Sequence, residues 1–412
     1  MMRRLRLELF TSRVGSRAAV VTGSYVAAAA VILLTVAVLK HETAAPVLRG
    51  VLSFFFISSL SSGLEPGTTK AAFLSGVVSA GPGRGMITSM LRASALKAAG
   101  ASPFLALLWR FTDPHLAYQA LFLVPLIAIA GFAATDLRVL FDVERRHATA
   151  IWLKQGSLAG GLVIVAALVL LHVALIWAMA CSIAARLALT AFAALWGRVR
   201  EAEGEQTPRG ARRLLTDVRW VELMAASVIS AIGGSTDRIL GLHYLPAATY
   251  ASYFLLYELF SKFWVLPYVM NPILFARLLA GQESRAFIAG GRLLILAAGI
   301  GLILVLGAGF VFVPASLHRL LGDAFGPEIF AFAAAIILSA FTQLWMAYLT
   351  GSGATRRATV LIAVNTVISS ALFFLLIRRF GLSGLFLGWL SKSVVELVLL
   401  SLGGRPKSLR GA

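Results

Sequence analysis

Twelve stretches of mostly apolar residues, each about 20 long, follow one another along the chain and limit what it can fold into. They lie near 18–38, 47–65, 87–111, 116–135, 150–171, 174–196, 219–242, 247–270, 287–314, 327–349, 357–377 and 381–402. Each is long enough to cross a hydrocarbon layer as an α-helix, the form in which a segment satisfies its own backbone N–H and C=O groups. The weakest is 87–111, which carries Arg92, Lys97 and Arg110. Of the 412 residues, 59 % are hydrophobic and 13 % charged, whereas a soluble domain has roughly half and a quarter. A soluble enzyme of this composition would expose apolar patches and precipitate. A disordered chain needs the opposite bias. The expected fold class is an all-α polytopic membrane protein of about twelve transmembrane helices.

The charges set an orientation. Lys plus Arg number 37 against 18 Asp plus Glu, a net charge of +19. Such a surplus can mark nucleic-acid binding. In a membrane protein it reads first as basic loops kept on the cytoplasmic side, facing anionic lipid, and no nucleic-acid partner is expected. With the N-terminus inside, the inner segments gather Arg3, Arg4, Arg6, Arg13 and Arg17, then Lys70, Arg84, Arg138, Arg145 and Arg146. The set continues with Arg198, Arg200, Arg209, Arg212, Arg213, Arg277, Arg285, Arg356, Arg357, Arg405, Lys407 and Arg410. The outer loops hold Lys40, Arg49, Arg319, Arg378 and Arg379. The asymmetry is about four to one in the sense of the positive-inside rule, and an even span count returns the C-terminus inside. The arginine-rich start could pass for a signal-peptide n-region. The apolar run after it is longer than the about 7–15 residues of an h-region, and no clear cleavage site follows, so it is expected to stay as the first span.

The longest polar run, 197–218, falls near the midpoint between spans six and seven. It predicts an N-terminal six-helix lobe over 1–196, a cytoplasmic linker over 197–218 and a C-terminal six-helix lobe over 219–412. A faint repeat at a shift of 200 places Pro46, Phe54 and Ser61 on Pro246, Phe254 and Ser261.

Several chemistries lack their residues. Cys181 is the only cysteine, and His41, His115, His147, His172, His243 and His318 are scattered, so neither an intrachain disulfide nor a metal centre is expected. There is no Walker A loop, no Gly-rich dinucleotide turn and no His-Glu-x-x-His, and no cofactor is expected. The longest outer loop, about 314–327, has Asp323 as its one acid. An enzyme acting on lipid-linked sugars would need a richer cluster there. Secondary transport or flipping remains.

Ionisable groups at membrane depth are costly and mark pathways by default. Counting about 1.5 Å per residue, Arg186 falls midway in span six, Glu258 and Lys262 midway in span eight, and Lys392 and Glu396 midway in span twelve. Lys97 lies in the inner half of span three, and Asp237 and Arg238 near the outer end of span seven. The two i,i+4 pairs can neutralise themselves. Lys97, Arg186, Lys262 and Lys392 still outnumber Glu258 and Glu396, and Arg186 has no acid three or four residues away. A cationic midplane suits an anionic substrate such as a phosphate or pyrophosphate headgroup. Asp237, Glu258 and Glu396 are left as candidates for carrying a coupling proton. The first span has no ionisable group between Arg17 and Lys40, which counts against an exporter that uses a carboxylate there. Gly384 and Gly388 predict a close helix contact. Gly233, Gly234, Pro125, Pro267 and Pro272 are candidate hinges or kinks.

Three segments carry a resemblance. The stretch 231–279 has Asp237-Arg238 before a short apolar loop, Tyr250 opening the next helix, and Asn271-Pro272 with Arg277 closing it. Gly63-Leu64-Glu65, followed by Thr68 and Thr69, ends span two, and Phe380-Gly381-Leu382-Ser383-Gly384 precedes span twelve. Together these resemble the polysaccharide flippases of the multidrug/oligosaccharidyl-lipid/polysaccharide exporter superfamily. The resemblance implies two six-helix lobes around a central cavity that faces each side in turn. It implies an undecaprenyl-pyrophosphate-linked oligosaccharide as substrate, membrane lipid around it, and polymerase and glycosyltransferase partners in surface polysaccharide assembly at the bacterial inner membrane. The expected substrate-binding residues are Arg186, Lys262, Lys392, Lys97 and Arg238. The lipid II branch usually carries two further helices and ranks lower. The alternatives are a cation-coupled multidrug exporter of the same superfamily, and a non-transporting subunit that holds glycosyltransferases through the 197–218 loop.

Overall fold

A computed structural model describes residues 13–63, 86–143, 149–150, 152–201, 228–267, 285–315, 326–351 and 354–403, with single positions between 270 and 322. Among these residues the regular structure is helical: eleven α-helices and three short turns of 3-10 or π type. Eight segments are long and apolar enough to cross a membrane, and large apolar side chains such as Leu34, Phe122, Trp177, Leu304 and Val305 stand exposed on them. The protein is a multi-pass membrane protein. The chain divides into two compact units, Met1–Trp220 and Val221–Ala412.

The first unit holds α1 (Arg13–Glu42), α2 (Ala45–Gly63), α3 (Met86–Thr112), α4 (Val124–Val143), α5 (Ser157–Leu170) and α6 (Leu175–Glu201). A 3-10 turn, Tyr118–Leu123, leads into α4, and a π turn, Trp152–Gly156, leads into α5. Small and hydroxylated residues bring these helices together, as expected where lipid removes the hydrophobic drive between them. Gly131 of α4 lies against Ser61 of α2 with no room for a Cβ. Thr135 donates across the same seam to the Ser62 carbonyl at 3.0 Å, and the Trp109 indole of α3 donates to Ser53 Oγ at 3.0 Å. Pro125 occupies the first turn of α4, where its missing N–H costs no hydrogen bond, so it does not kink span four. Among the described residues of this unit, the proline inside a helix is Pro103 in α3.

In the second unit the first described residues, 228–233, are also helical, and this stretch, beyond the eleven bounded helices, breaks at a turn on Gly234 and Ser235. It resumes as α7 (Thr236–Tyr244), followed by α8 (Ala247–Ser261), which runs on through a 3-10 turn, Lys262–Trp264. Then come α9 (Arg285–Phe312), α10 (Glu328–Gly351) and α11 (Thr355–Gly403). The last is two helices joined at Gly381, whose φ of 56° and ψ of −126° suit glycine. Its limbs, 355–380 and 382–403, fold back on each other. Gly384 meets the backbone of Leu376, and Gly388 meets the ring of Phe373. The Gly-x-x-x-Gly pair is thus the close contact between spans eleven and twelve. Gly233 packs on Thr366 of the first limb, so at this position the glycine serves contact as well as the neighbouring break. Pro272, Arg277, Leu64, Glu65, Thr68, Thr69, Asp323 and most of the 197–218 run lie outside the described residues.

Candidate functional site

In the second unit, the break at Gly234–Ser235 turns Asp237 inward in the first turn of α7, where a carboxylate also meets the positive end of the helix. Asp237 is buried, and two helices supply its donors. The Tyr253 hydroxyl of α8 donates to Asp237 Oδ2. The Trp389 indole of α11 donates to the same oxygen at 3.2 Å and to the Tyr253 hydroxyl at 2.9 Å. Asp237 Oδ1 has no hydrogen-bond partner and lies 4.0 Å from Arg238 Nε. Arg238 Nη2 donates to the Gly234 carbonyl at 3.0 Å and to Ser235 Oγ at 2.8 Å, and the guanidinium stacks 4.8 Å over Tyr257. Lys392 Nζ sits 4.3 Å from the centre of the Trp389 ring and 3.4 Å from the Gly233 carbonyl. Glu396 is one turn further along, beside Thr342. The Glu258–Lys262 pair closes at 2.7 Å on the neighbouring helix. An aromatic stripe along α8 and the 3-10 turn after it, Tyr250, Tyr253, Tyr257 and Trp264, with Trp389 and Phe332 against it, walls this group.

In the first unit, Lys97 is not an unpaired cation. Its ammonium lies 3.3 Å from Asp136 of α4, which is 3 % exposed and also accepts from Ser94. The expected cationic surplus therefore shrinks by one, because an acid on another helix cancels it.

Arg186 differs. It is 3 % exposed, and its Nε, Nη1 and Nη2 all lack a hydrogen-bond partner. Ser182, one turn back on α6, has an equally bare hydroxyl. Room for the guanidinium stem comes from Gly161 of α5, where an added Cβ would stand 3.1 Å from Arg186 Cδ and 2.8 Å from Ser182 Oγ. The buried acids described in this unit are engaged elsewhere: Asp136 with Lys97 and Ser94, and Asp113 with Ser53 at 3.4 Å. Asp113 lies just past α3, and burial pushes its carboxyl above the ordinary range, against hydrogen bonds from the His115 backbone and Ser53.

The structure brings Asp237, Arg238, Lys392 and Glu396 into one neighbourhood with the Glu258–Lys262 pair beside it, and places Lys97 and Arg186 in the other unit. Asp136, Tyr253, Trp389 and Arg292 escape the sequence reading. Asp136 falls one residue past the end of its apolar window, and the two aromatic donors look like ordinary core. Among the described residues no group of three or more His, Cys, Asp or Glu gathers as a metal site.

Solved structures share this architecture along nearly the whole chain. One is a multidrug resistance MATE family transporter of the MOP superfamily in an outward-facing conformation, with TM-score 0.64, 16 % identity and 97 % of each chain covered. Another is a MOP superfamily transporter from Pyrococcus furiosus, whose reversed binding-pocket polarity was taken to suggest a different function. It has TM-score 0.62 and 14 % identity, over 95 % of this chain and 94 % of that one. A MATE transporter in the straight conformation gives TM-score 0.59 and 17 % identity, over 94 % and 92 %. No protein-family model and no curated protein matches the chain. The fold is the all-α, two-lobed membrane fold of MATE transporters.

Proposed function

We propose that this protein is an alternating-access transporter that flips an anionic, lipid-linked oligosaccharide carried on undecaprenyl pyrophosphate across the bacterial inner membrane, both termini being cytoplasmic. The observation that carries this reading is Arg186. An arginine at membrane depth costs about 3 kcal/mol on insertion scales, and this one has no internal acceptor to offset the cost. A guanidinium without a counter-ion is suited to take one from its substrate, and phosphate oxygens match its donors. Lys392, held by a ring and a carbonyl rather than by a carboxylate within ion-pair distance, adds to the same charge balance. Asp237 is the best placed coupling acid, because one of its oxygens is bare while the other is fixed by Tyr253 and Trp389.

The test is an in-frame deletion in the source organism, complemented with wild type, Arg186→Met or Arg186→Lys. Lipid-linked glycan should accumulate on the inner leaflet in the deletion and clear with wild type. With a stably inserted Arg186→Met it should persist. No accumulation, or full clearance by Arg186→Met, would overturn the reading.

A cation-coupled multidrug exporter is the second reading. It is favoured by the likeness to multidrug resistance MATE structures and by the buried acids Asp136 and Asp237. It predicts that the deletion strain retains cationic dyes, and unchanged dye efflux speaks against it.

A further inference from the structure

The second unit carries arginines that neither the Asp237 group nor the flipping reading uses. Arg292 lies seven residues into α9, about 10 Å along its axis from Arg285. Trp345 lies six residues before the end of α10, about 9 Å from Gly351. The two helices run antiparallel, with Gly291 against Leu344 and Gly299 against Ile337, so these depths are measured from the same end. The Arg292 guanidinium stacks 4.4 Å from the Trp345 ring and 5.6 Å from the Phe341 ring. Both Arg292 Nε and Trp345 Nε1 are buried donors with no acceptor. At the end itself, where α10 passes into α11, Arg356 and Arg357 flank a shallow, open depression of about 460 Å³ that Ala354 and Val360 complete. Trp345 packs on the Leu349, Ala358 and Leu400 cluster beneath that turn, which joins the deep donors to the surface arginines.

Two tiers of donors follow, set apart by about 10 Å of helix rise. The outer tier is a pair of exposed cations over an apolar floor. The inner tier is the Arg292 Nε and the Trp345 indole N–H, the guanidinium stacked on the Trp345 ring and both donors lacking acceptors. We propose that this end of the second unit is a binding site for an anionic glycerophospholipid of the adjoining leaflet. The phosphodiester sits on Arg356 and Arg357, the glycerol ester carbonyls accept from Arg292 and Trp345, and the acyl chains lie along the exposed apolar face of α9. The ester carbonyls are what choose this ligand. A polyprenyl phosphate satisfies the outer tier and has nothing to offer the inner one. The site is separate from Arg186 and stands whether or not the flippase reading does.

The experiment is thermal unfolding of the full chain in neutral detergent with added phosphatidylglycerol, phosphatidylcholine of the same chains, or a polyprenyl monophosphate. Phosphatidylglycerol should raise the midpoint by several degrees and phosphatidylcholine by much less. Arg356→Ala with Arg357→Ala should lose most of that rise. Trp345→Phe, which keeps the ring and removes the N–H, should lose part of the phosphatidylglycerol rise and none of any polyprenyl phosphate rise. Native mass spectrometry of wild type purified from an equal lipid mixture gives a readout that needs no variant, and retained phosphatidylglycerol should dominate. Equal effects of the two phospholipids, or a full rise in the double variant, would overturn the proposal. A polyprenyl phosphate rise larger than that of phosphatidylglycerol would also overturn it, and would assign the depression to the prenyl carrier.

Discussion

At the scale of single residues, what matters about a buried charge in this protein is whether it has a partner. Asp237 has two, and Arg186 has none. Removing one donor from a buried carboxylate leaves it under-satisfied, at a cost of about 1–3 kcal/mol. Removing a charge that has no partner relieves a desolvation penalty. Tyr253→Phe should therefore lower the thermal midpoint of the purified protein, while Arg186→Met should leave it unchanged or raise it even as glycan clearance fails. Thermal unfolding in detergent, run side by side, checks both signs. A large loss of stability in Arg186→Met would mean that the guanidinium has a structural partner.

At the scale of elements, hydropathy alone predicts nearly every helix, because a segment in lipid must pair its own backbone and needs a fixed length to do so. One of the two i,i+4 pairs is legible too: Glu258 and Lys262 are four residues apart in the sequence and 2.7 Å apart in space, whereas Lys392 rests on Trp389 and the Gly233 carbonyl rather than on Glu396. Contacts between helices are legible at the Gly384–Gly388 motif, but not where charges and donors meet. Lys97 and Asp136 stand 39 residues apart, and Asp237 and Trp389 stand 152 apart, so neither spacing carries a signal. Arg292 is hidden for another reason: its neighbours are rings, and cation–π contacts have no sequence period. The span-seven break was legible only as a pair of glycines. The Gly381 hairpin allows a direct test. A methyl at Gly384 would run into the backbone carbonyl of Leu376, which cannot rotate away, whereas Gly301 of α9 has open space around it. Gly384→Ala should destabilise by about 1–3 kcal/mol through overpacking, and Gly301→Ala should be neutral or slightly stabilising through helix propensity. Thermal midpoints of the two variants decide it. Equal midpoints would mean that the two limbs separate readily.

At the scale of the whole molecule, the orientation follows from charge. Summed over all segments, the basic residues put the turn between α1 and α2, flanked by Lys40 and Arg49, outside, and the turn between α10 and α11, beside Arg356 and Arg357, inside. Positive segments are held on the cytoplasmic side, so these two turns should lie on opposite faces. Cys181 is the single thiol and is exposed on α6, so Cys181→Ser gives a background with none. On it, Ala44→Cys should react with a membrane-impermeant maleimide added to the periplasmic side, and Ala354→Cys only in inverted vesicles. The reverse pattern would place Arg356 and Arg357 in the outer leaflet, against the charge asymmetry of the entire chain. The same labelling therefore fixes the leaflet of the lipid site.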